Sequence, residues 1–476
     1  MKVKPFNKLA TIGLLLCILL IISSCKVSRD VQPTAPGLPV NYRGATATDT
    51  AGVSNQSWQK IYTEVNLKRL IDTALVRNYD LQIAVKNIDA AQKVFSQSRL
   101  GYLPEVGLAV NANTNRPSDN SLNGLSLGQF LGSKHIEDYT AMANLSWEAD
   151  IWGKVRNQKS AALAAYMQTY EARKAIQTQL VSQVSMGYYN LVMLDVQLDI
   201  AKQNVALNDS TLTIIKLQFD AGQVTSLAIQ QAEAQQLSAS KLIPQFEQEI
   251  TIQENAISLL LGKAPESVVR TGSLDLLFPK EALKSGIPSS LLQQRPDVKN
   301  AELAITRANA AVGIQKANLY PALTISAQGG INSFKASDWF TLPASLFGNI
   351  AGGIVQPIFQ KRKLKTQYEL AKIEREKAVI QFRQQVLIAV SDVSDALVKI
   401  EKLHQQRLIA DQRTLKLQQA TKNANFLFRN GMANYLEVIT AQSGVLESEL
   451  NAVELKKAQL DASVALYRSL GGGWVN

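Results

Sequence analysis

One stretch of this chain lacks both glycine and proline. Neither residue occurs between Lys361 and Asn430, although the whole chain has 26 glycines and 14 prolines. Because these residues are the strongest helix breakers, their absence predicts one helix of about 70 residues, whereas an ordinary helix has about 12. At about 1.5 Å per residue, such a helix is roughly 100 Å long. A compact domain cannot contain it, so the chain is predicted to cross a distance.

Residues that could carry redox, metal or nucleophilic chemistry are also scarce. The only cysteines are Cys17 and Cys25, and the only histidines are His135 and His404. Neither histidine lies in a metal-ligand spacing, and no phosphate-binding or dinucleotide-binding glycine motif is present. The sequence therefore predicts no catalytic residue, no metal site and no cofactor, and it argues against an enzyme.

Long apolar runs are missing beyond the N-terminal region, where no segment approaches the roughly 20 apolar residues of a transmembrane helix. The formal net charge is +11, but lysines and arginines alternate with acidic residues, as in residues 372–377. This mixture is typical of a solvated helix face, so no nucleic-acid partner is predicted.

The N-terminus has the features of an export signal. An apolar run, Leu9–Ile22, follows three lysines and ends at the segment Ile22-Ser23-Ser24-Cys25. This order predicts a lipoprotein signal peptide at residues 1–24, whose removal leaves Cys25 as a lipid-carrying N-terminus. A plain signal peptide or an N-terminal anchor with a chance cysteine is the alternative.

The chain contains an internal duplication with offsets of 207 to 217 residues. The paired segments are Phe219-Asp220-Ala221-Gly222 with Phe428-Arg429-Asn430-Gly431, Leu261-Gly262 with Leu470-Gly471, Ile151-Trp152-Gly153-Lys154 with Ile358-Phe359-Gln360-Lys361, and Tyr102-Leu103-Pro104 with Leu319-Tyr320-Pro321. They predict an N-terminal segment at 25–57, a first repeat at 58–265, a linker at 266–290 and a second repeat at 291–476.

Each repeat is predicted to contain a very long helix, a tight turn and a returning helix. The long helices are placed at 154–219 and 361–430, and the returning helices at 226–261 and 435–470, with a bend at Pro244. In the last helix, two heptad seams begin at Leu436 and Val438. Two seams imply a neighbour on each side, which favours a closed ring of helices. A bundle with a filled centre is the alternative.

Four segments alternate between apolar and polar residues with a period of two. They lie at 106–113, 140–151, 323–331 and, less regularly, 346–359. The pattern is typical of a transmembrane β-barrel, but an ordinary half-buried sheet gives the same pattern. Because membrane barrels begin at about eight strands, the barrel interpretation requires two or three copies of the chain.

Several motifs, taken in this order, resemble those of the TolC-like outer-membrane efflux factors, in particular their lipoprotein branch, the NodT family. They are Glu148-Ala149-Asp150-Ile151-Trp152-Gly153-Lys154-Val155-Arg156, Leu291-Leu292-Gln293-Gln294-Arg295-Pro296-Asp297-Val298, Phe428-Arg429-Asn430-Gly431 and the ending Gly471-Gly472-Gly473-Trp474. The resemblance extends from Trp58 to Trp474. It implies a mainly α-helical fold with membrane β structure, in which each chain adds four strands to a 12-stranded trimeric barrel.

The resemblance also implies the function of an outer-membrane channel in a tripartite efflux system. The implied partners are two further copies in a homotrimer, a periplasmic adaptor protein, an inner-membrane pump of the resistance-nodulation-division type and the lipid of the outer membrane. The chain would be a passive exit duct that extends into the periplasm and is anchored by lipid. The alternatives are a duct for type I protein secretion and a lipid-anchored coiled-coil protein without a pore.

By the same resemblance, a periplasmic gate is expected at the two helix-tip turns, marked by Phe219, Gly222, Phe428 and Gly431. Both glycines are expected to adopt positive φ, because a tight turn between antiparallel helices requires it. Of two positions that are often acidic in the family, Glu437 keeps a carboxylate and Thr440 does not, so at most one ring of three glutamates is expected. Alternatively, Glu437 is a solvated residue favoured by the helix dipole.

Overall fold

The computed structural model describes residues 27–44, 57–130, 132–270, 273–278 and 286–474. The predicted signal peptide and the lipidation residue Cys25 lie outside these residues. The chain divides into two compact units. The sheet unit comprises Met1–Pro33, Ala90–Tyr166 and Leu303–Val379, and the helix unit comprises Thr34–Asp89, Met167–Glu302 and Ile380–Asn476.

The secondary structure is mainly helical. The helices are α1 Trp58–Ile61, α2 Val65–Arg77, α3 Tyr79–Leu100, α4 Leu122–Phe130, α5 Lys154–Asp220, α6 Ser226–Ser240, α7 Leu242–Leu260, α8 Leu291–Gln294, α9 Pro296–Ala317, α10 Lys363–Arg429 and α11 Tyr435–Ser469. The strands are β1 Glu105–Asn115, β2 Ile136–Glu148, β3 Ala322–Ser333 and β4 Leu346–Val355. Short 3-10 turns lie at Leu274–Leu277, Pro288–Ser290 and Ala336–Asp338.

Both predicted long helices are present. α10, which the missing glycine and proline predicted, has 67 residues. α5 also has 67 residues, although it contains Gly187. The predicted bend in the first returning helix is also present, because α6 ends at Ser240 and α7 begins two residues before Pro244. Within the described part of the chain, none of the helices combines the length and the apolar character needed to cross a membrane.

The internal duplication is reproduced in the hydrogen bonds that end the helices. After α7, the Lys263 N–H donates to the Ser258 carbonyl at 3.0 Å, and after α11 the Gly472 N–H donates to the Tyr467 carbonyl at 3.0 Å. A side chain near the start of each repeat supplies a further cap. Asn78 Nδ2 donates to the Leu260 carbonyl at 3.0 Å, and Arg295 Nη1 donates to the Ser469 carbonyl at 3.2 Å. Corresponding carbonyls are therefore capped in both repeats by different side chains.

The four strands form one antiparallel sheet in the order β1-β2-β3-β4. The sheet belongs to the sheet unit, and its register aligns apolar residues across all four strands. One such row is Val106, Leu145, Ala327 and Ile350, and another is Val110, Ala141, Ile331 and Leu346. Polar residues lie in the alternate rows, for example Asn144, Gln328 and Asn349. Since cross-strand partners share a face, the predicted apolar and polar faces are confirmed.

The sheet is open at both edges within the described residues, because β1 pairs only with β2 and β4 pairs only with β3. The apolar face is exposed at these edge strands, where Leu108 is 86% and Ile350 is 82% exposed. The second strand begins and ends earlier than predicted. It ends at Glu148 because the Asp150 carboxylate instead accepts the Val155 and Arg156 N–H groups at the start of α5.

The core of the helix unit lies between α2, α5, α7 and α11. Its largest fully buried side chains include Trp58, Leu67, Ile71, Tyr188, Leu191, Ile257 and Leu460. The predicted seam that begins at Val438 is packed, since Val438, Val445, Ser448, Ala452, Ala462 and Leu466 are all buried. Burial of this small-residue seam brings α11 close to its neighbours.

Candidate functional site

The candidate site is formed by the two helix-tip turns, which belong to the helix unit. The first joins α5 to α6 and the second joins α10 to α11. The Gln223 N–H donates to the Gln218 carbonyl at 2.8 Å, and the Met432 N–H donates to the Leu427 carbonyl at 2.8 Å. These are the long-range bonds of a Schellman motif, which requires positive φ at the preceding residue. Gly222 has φ +72° and Gly431 has φ +70°, as predicted.

A small apolar cluster holds the two turns together. Its buried members are Ile215, Ala228, Ala232, Phe428 and Val438, and partly buried neighbours include Leu212, Val224 and Tyr435. The two phenylalanines that correspond in sequence differ in this cluster. Phe428 is 3% exposed, whereas Phe219 is 41% exposed. The second turn is therefore anchored by its aromatic side chain, and the first is not.

The helices that leave the turns are capped differently. Asn434 Oδ1 accepts the Leu436 N–H at 2.9 Å and the Glu437 N–H at 3.2 Å. Thr225 occupies the equivalent position before α6, but its side chain makes no capping hydrogen bond. An N-cap side chain contributes about 1 kcal/mol to a helix. The first turn of α11 is thus better fixed than that of α6.

The predicted gate residues Glu437 and Thr440 both lie exposed on the first turns of α11. Glu437 is the acidic residue of the first helical turn, where the helix dipole favours it. Its carboxylate forms no ion pair with any described residue. Nearby, Lys216 on α5 pairs with Glu233 on α6 at 2.9 Å. The carboxylate of Glu437 is therefore available to solvent or to another molecule.

Sequence analysis missed a set of polar contacts between the packed helices. The Gln442 amide Nε2 donates to Thr211 Oγ1 at 2.8 Å, which joins α11 to α5. The hydroxyls of Thr414 and Ser448 lie 2.8 Å apart and join α10 to α11. Thr421 Oγ1 also donates to the Ala441 carbonyl at 3.1 Å. Ser448 lies in the predicted seam that begins at Val438, so a polar residue at a seam position was a signal for its contact. Gln442 lies in neither predicted seam, so no signal in the sequence pointed to its contact with Thr211.

The motif Arg295-Pro296-Asp297 forms a polar cluster at the other end of α11. Arg295 Nη2 lies 2.6 Å from the Asp297 carboxylate, and Arg295 Nη1 lies 2.9 Å from that of Asp392 on α10. Burial acts to raise the pKa of Asp297, but the hydrogen bonds and charge of Arg295 and the Val298 N–H hold that pKa below its ordinary value. The cluster links α9, α10 and the C-terminal end of α11.

No group of three or more His, Cys, Asp or Glu side chains that could hold a metal ion occurs among the described residues. The site consists of turns, seams and exposed polar side chains at the ends of very long helices. Combined with a four-stranded sheet that has a polar and an apolar face, these features are those expected of a channel subunit.

The chain belongs to the outer membrane efflux protein family, whose model matches residues 70–263 and 287–472. It is 27% identical over 471 residues to the cation efflux system protein CusC of Escherichia coli O6:H1, covering 96% of this chain and 98% of the relative. It is 28% identical over 466 residues to the pyoverdine export outer membrane protein OpmQ of Pseudomonas putida, covering 96% and 97%. The probable outer membrane lipoprotein SilC of Salmonella typhimurium is 28% identical over 448 residues, covering 93% and 94%.

Solved structures give the same result. A crystal structure of CusC matches with a TM-score of 0.81 and 26% identity over 94% of this chain and all of that chain. The open state of the MtrE outer membrane channel of Neisseria gonorrhoeae matches in fold, with a TM-score of 0.80 and 24% identity over 94% and 98%. The predicted resemblance, the TolC-like fold class and the outer-membrane location are confirmed.

The protein is thus an outer-membrane channel component of a tripartite efflux system and extends into the periplasm. Its relatives are channel proteins rather than enzymes. Such systems are trimeric at the outer membrane and work with an adaptor and a pump.

Proposed function

We propose that three copies of this chain assemble into a passive exit duct that receives its substrate from a periplasmic adaptor and an inner-membrane pump of the resistance-nodulation-division type. Each copy contributes its four strands to a 12-stranded barrel. The two sequence repeats supply the helical wall of the duct, and the linker at 266–290 lies between them in sequence. Cys25 carries the lipid that holds the N-terminal segment, residues 25–57, to the outer membrane.

The open sheet is the observation that carries this proposal. Both edge strands lack a partner among the described residues, and the apolar face is exposed. In lipid, each unpaired backbone group costs several kcal/mol, so the edges require strands from other copies. An eight-stranded barrel of two copies would have an interior just filled by side chains. A barrel of three copies is wide enough for a conduit, which a family of efflux channels needs.

The helix unit offers a second surface for a neighbouring copy. On α10, Leu408, Leu415 and Phe426 are exposed and lie on one side of the helix, because their spacings are near whole numbers of turns. Leu387 precedes them by three heptads and is also exposed. Such a stripe of exposed apolar side chains supports a coiled-coil contact with another subunit.

The helix-tip turns form the gate of the duct in this proposal. The helices that end at Phe219 and Phe428 pack inward at rest, and contact with the adaptor moves them outward along their seams. Glu437 contributes one ring of three carboxylates, and Thr440 contributes none. The relatives are named for two different cargoes, cation efflux and pyoverdine export. Because channels of one family serve different cargoes, the duct accepts the substrate that its pump delivers.

Assembly can be tested by native mass spectrometry and by conductance of the full mature protein in planar bilayers. We expect a trimer mass and discrete conductance steps. Changing Leu408 and Leu415 to lysine should remove both, because two charges per copy would be buried in the seam. Gln406→Lys with Ala420→Lys, at exposed positions on another side of the same helix, is the matched control and should assemble.

Gating can be tested with cysteine pairs that clamp the tips of neighbouring copies. Oxidation should abolish transport while the trimer mass is unchanged, and reduction should restore transport. A monomeric mature protein without conductance would overturn the duct, whereas transport by a fully clamped trimer would overturn only the gate.

A further inference from the structure

Residues 358–365, here called the basic segment, combine exposed apolar side chains with a run of cations. The segment follows β4 and leads into α10. Ile358 is 95% and Phe359 is 83% exposed. Four cations follow within five positions, Lys361, Arg362, Lys363 and Lys365, and all four are exposed. None of their side chains has an ion-pair or hydrogen-bond partner among the described residues.

The equivalent segment of the first repeat, residues 151–156, has its corresponding groups satisfied. Trp152, which corresponds to Phe359, stacks on Tyr320 with ring centroids 4.7 Å apart, and its Nε1 donates to the Pro321 carbonyl at 2.8 Å. Lys154 Nζ lies 2.8 Å and 3.0 Å from the two carboxylate oxygens of Glu148. The same position in the duplicated fold is therefore packed in one repeat and left exposed in the other.

Helix stability does not explain the cations of the basic segment. The dipole at the start of a helix favours acidic residues and disfavours cations, and α10 has no acidic residue in its first turn. The next carboxylate along the chain is Glu369. Four like charges so close together repel each other, and an anion from outside the chain would relieve that repulsion.

The neighbouring strand indicates where that anion lies. Ile350 and Ile354 are exposed on the apolar face of the sheet. Ile358 follows three residues after the end of β4 and is also exposed. In an outer-membrane protein this face contacts lipid. The cations begin three residues after Ile358, at the point where the apolar strip ends. Apolar side chains beside a basic cluster fit the boundary between acyl chains and phosphate headgroups.

We propose that the basic segment binds the phosphate headgroup of an anionic phospholipid in the periplasm-facing leaflet of the outer membrane. Ile358 and Phe359 lie in the acyl boundary, and the four cations contact the headgroup. The proposal rests on the proposed barrel, because the apolar face of this sheet contacts lipid only when strands from other copies pair with its open edges.

Native mass spectrometry of the full mature protein, released from micelles doped with phosphatidylglycerol or with phosphatidylcholine, tests this proposal. The wild type should retain phosphatidylglycerol in preference to phosphatidylcholine. In the variant K361Q/R362Q/K363Q/K365Q, the ratio of retained phosphatidylglycerol to phosphatidylcholine should fall at least about tenfold, because each cation near an anionic surface adds to the binding free energy. The control K60Q/R69Q/R77Q/K241Q makes the same charge change at exposed positions of the helix unit and should keep it.

Two further arms separate the sources of phosphate and the role of the apolar pair. I358S/F359S should weaken retention of phosphatidylglycerol although every charge remains. Inorganic phosphate in phosphatidylcholine micelles should bind neither the wild type nor the quadruple glutamine variant of the basic segment detectably. The proposal fails if the quadruple glutamine variant keeps its lipid preference, if the control loses as much, or if inorganic phosphate binds as well as the lipid. Monomer and trimer masses appear in the same spectra, so failure of the duct proposal is read separately.

Discussion

Gln442 on α11 donates a hydrogen bond of 2.8 Å to Thr211 on α5 in the interior of the helix tips. Both side chains are buried. One helical turn away on each helix, Ile215 and Val438 belong to the apolar cluster that joins the two turns. The Oε1 atom of Gln442 has no hydrogen-bond partner among the described residues. A buried polar contact of this kind favours one register between two packed helices.

We predict that Thr211→Val is costlier than removing both partners of this contact. Thr211→Val leaves the Gln442 amide buried and unpaired, which costs about 1–3 kcal/mol. Gln442→Leu should cost less, because the Thr211 hydroxyl still donates to the Leu207 carbonyl at 3.1 Å. The double variant should recover much of the loss caused by Thr211→Val. Hydrogen exchange at the helix tips of the assembled protein measures both effects, and a double-mutant cycle gives the coupling. Strictly additive losses would contradict the prediction.

The long helices were predictable because glycine and proline are the residues that end helices, and their absence from 361–430 is visible without any structure. The duplication was predictable for a similar reason, since Gly222 and Gly431 are required by the same turn geometry. The Gln442–Thr211 contact was not. Gln442 lies in neither predicted seam, and only the packing shows that its side chain meets Thr211 on a helix 231 residues away in sequence.

The difference between Phe219 and Phe428 was also hidden from sequence analysis, because the two residues occupy equivalent positions in the repeats. Burial depends on the side chains that surround them, and these differ between the halves. The end of β2 could not be predicted from the sequence for the same reason, because it depends on which side chains lie nearby. The alternation at 140–151 continues through Asp150, whose carboxylate caps α5 instead of extending the strand.

The unequal phenylalanines provide a prediction with an internal control. Phe428→Ala should destabilise the α10–α11 tip by about 3 kcal/mol, because truncation of a buried Phe leaves a cavity. Phe219→Ala should have a much smaller effect, since that side chain is partly exposed. Hydrogen exchange of the first two turns of α11 reports the loss. Equal losses in the two variants would mean that Phe219 is buried in the assembled protein.

The pair Arg295–Asp297 predicts a pH dependence of stability. The pKa of Asp297 is lower in the folded protein than its ordinary value of 3.8. A carboxylate with a depressed folded pKa stabilises the protein above its unfolded pKa, and the contribution disappears as the pH falls through the folded value. Asp297→Asn should therefore lower stability at pH 7 by about 1 kcal/mol, a figure reduced for the partial exposure of the carboxylate.

The difference between wild type and Asp297→Asn should shrink steadily as the pH is lowered below 3.8. Thermal unfolding at pH 7 and at successively lower pH measures it. Asp395→Asn, which removes an exposed carboxylate from α10, is the control. Its stability should differ little from that of the wild type at pH 7 or at low pH. A difference that stays constant with pH would assign the effect to packing rather than to the charge of Asp297.

Two glycines that end helices in the second repeat should differ in their tolerance of a side chain. At Gly431, with φ +70°, a Cβ atom would meet nothing within 4 Å. Alanine there costs only the strain of a left-handed backbone, about 1–2 kcal/mol. At Gly471, with φ +87°, a Cβ atom would also lie 2.6 Å from the Gln294 carbonyl oxygen. Because backbone must move to relieve that clash, Gly471→Ala should reduce assembly, whereas Gly431→Ala should assemble and alter only the gate. Native mass spectrometry and conductance separate these outcomes, and normal assembly of Gly471→Ala would show that the chain after α11 can move without cost.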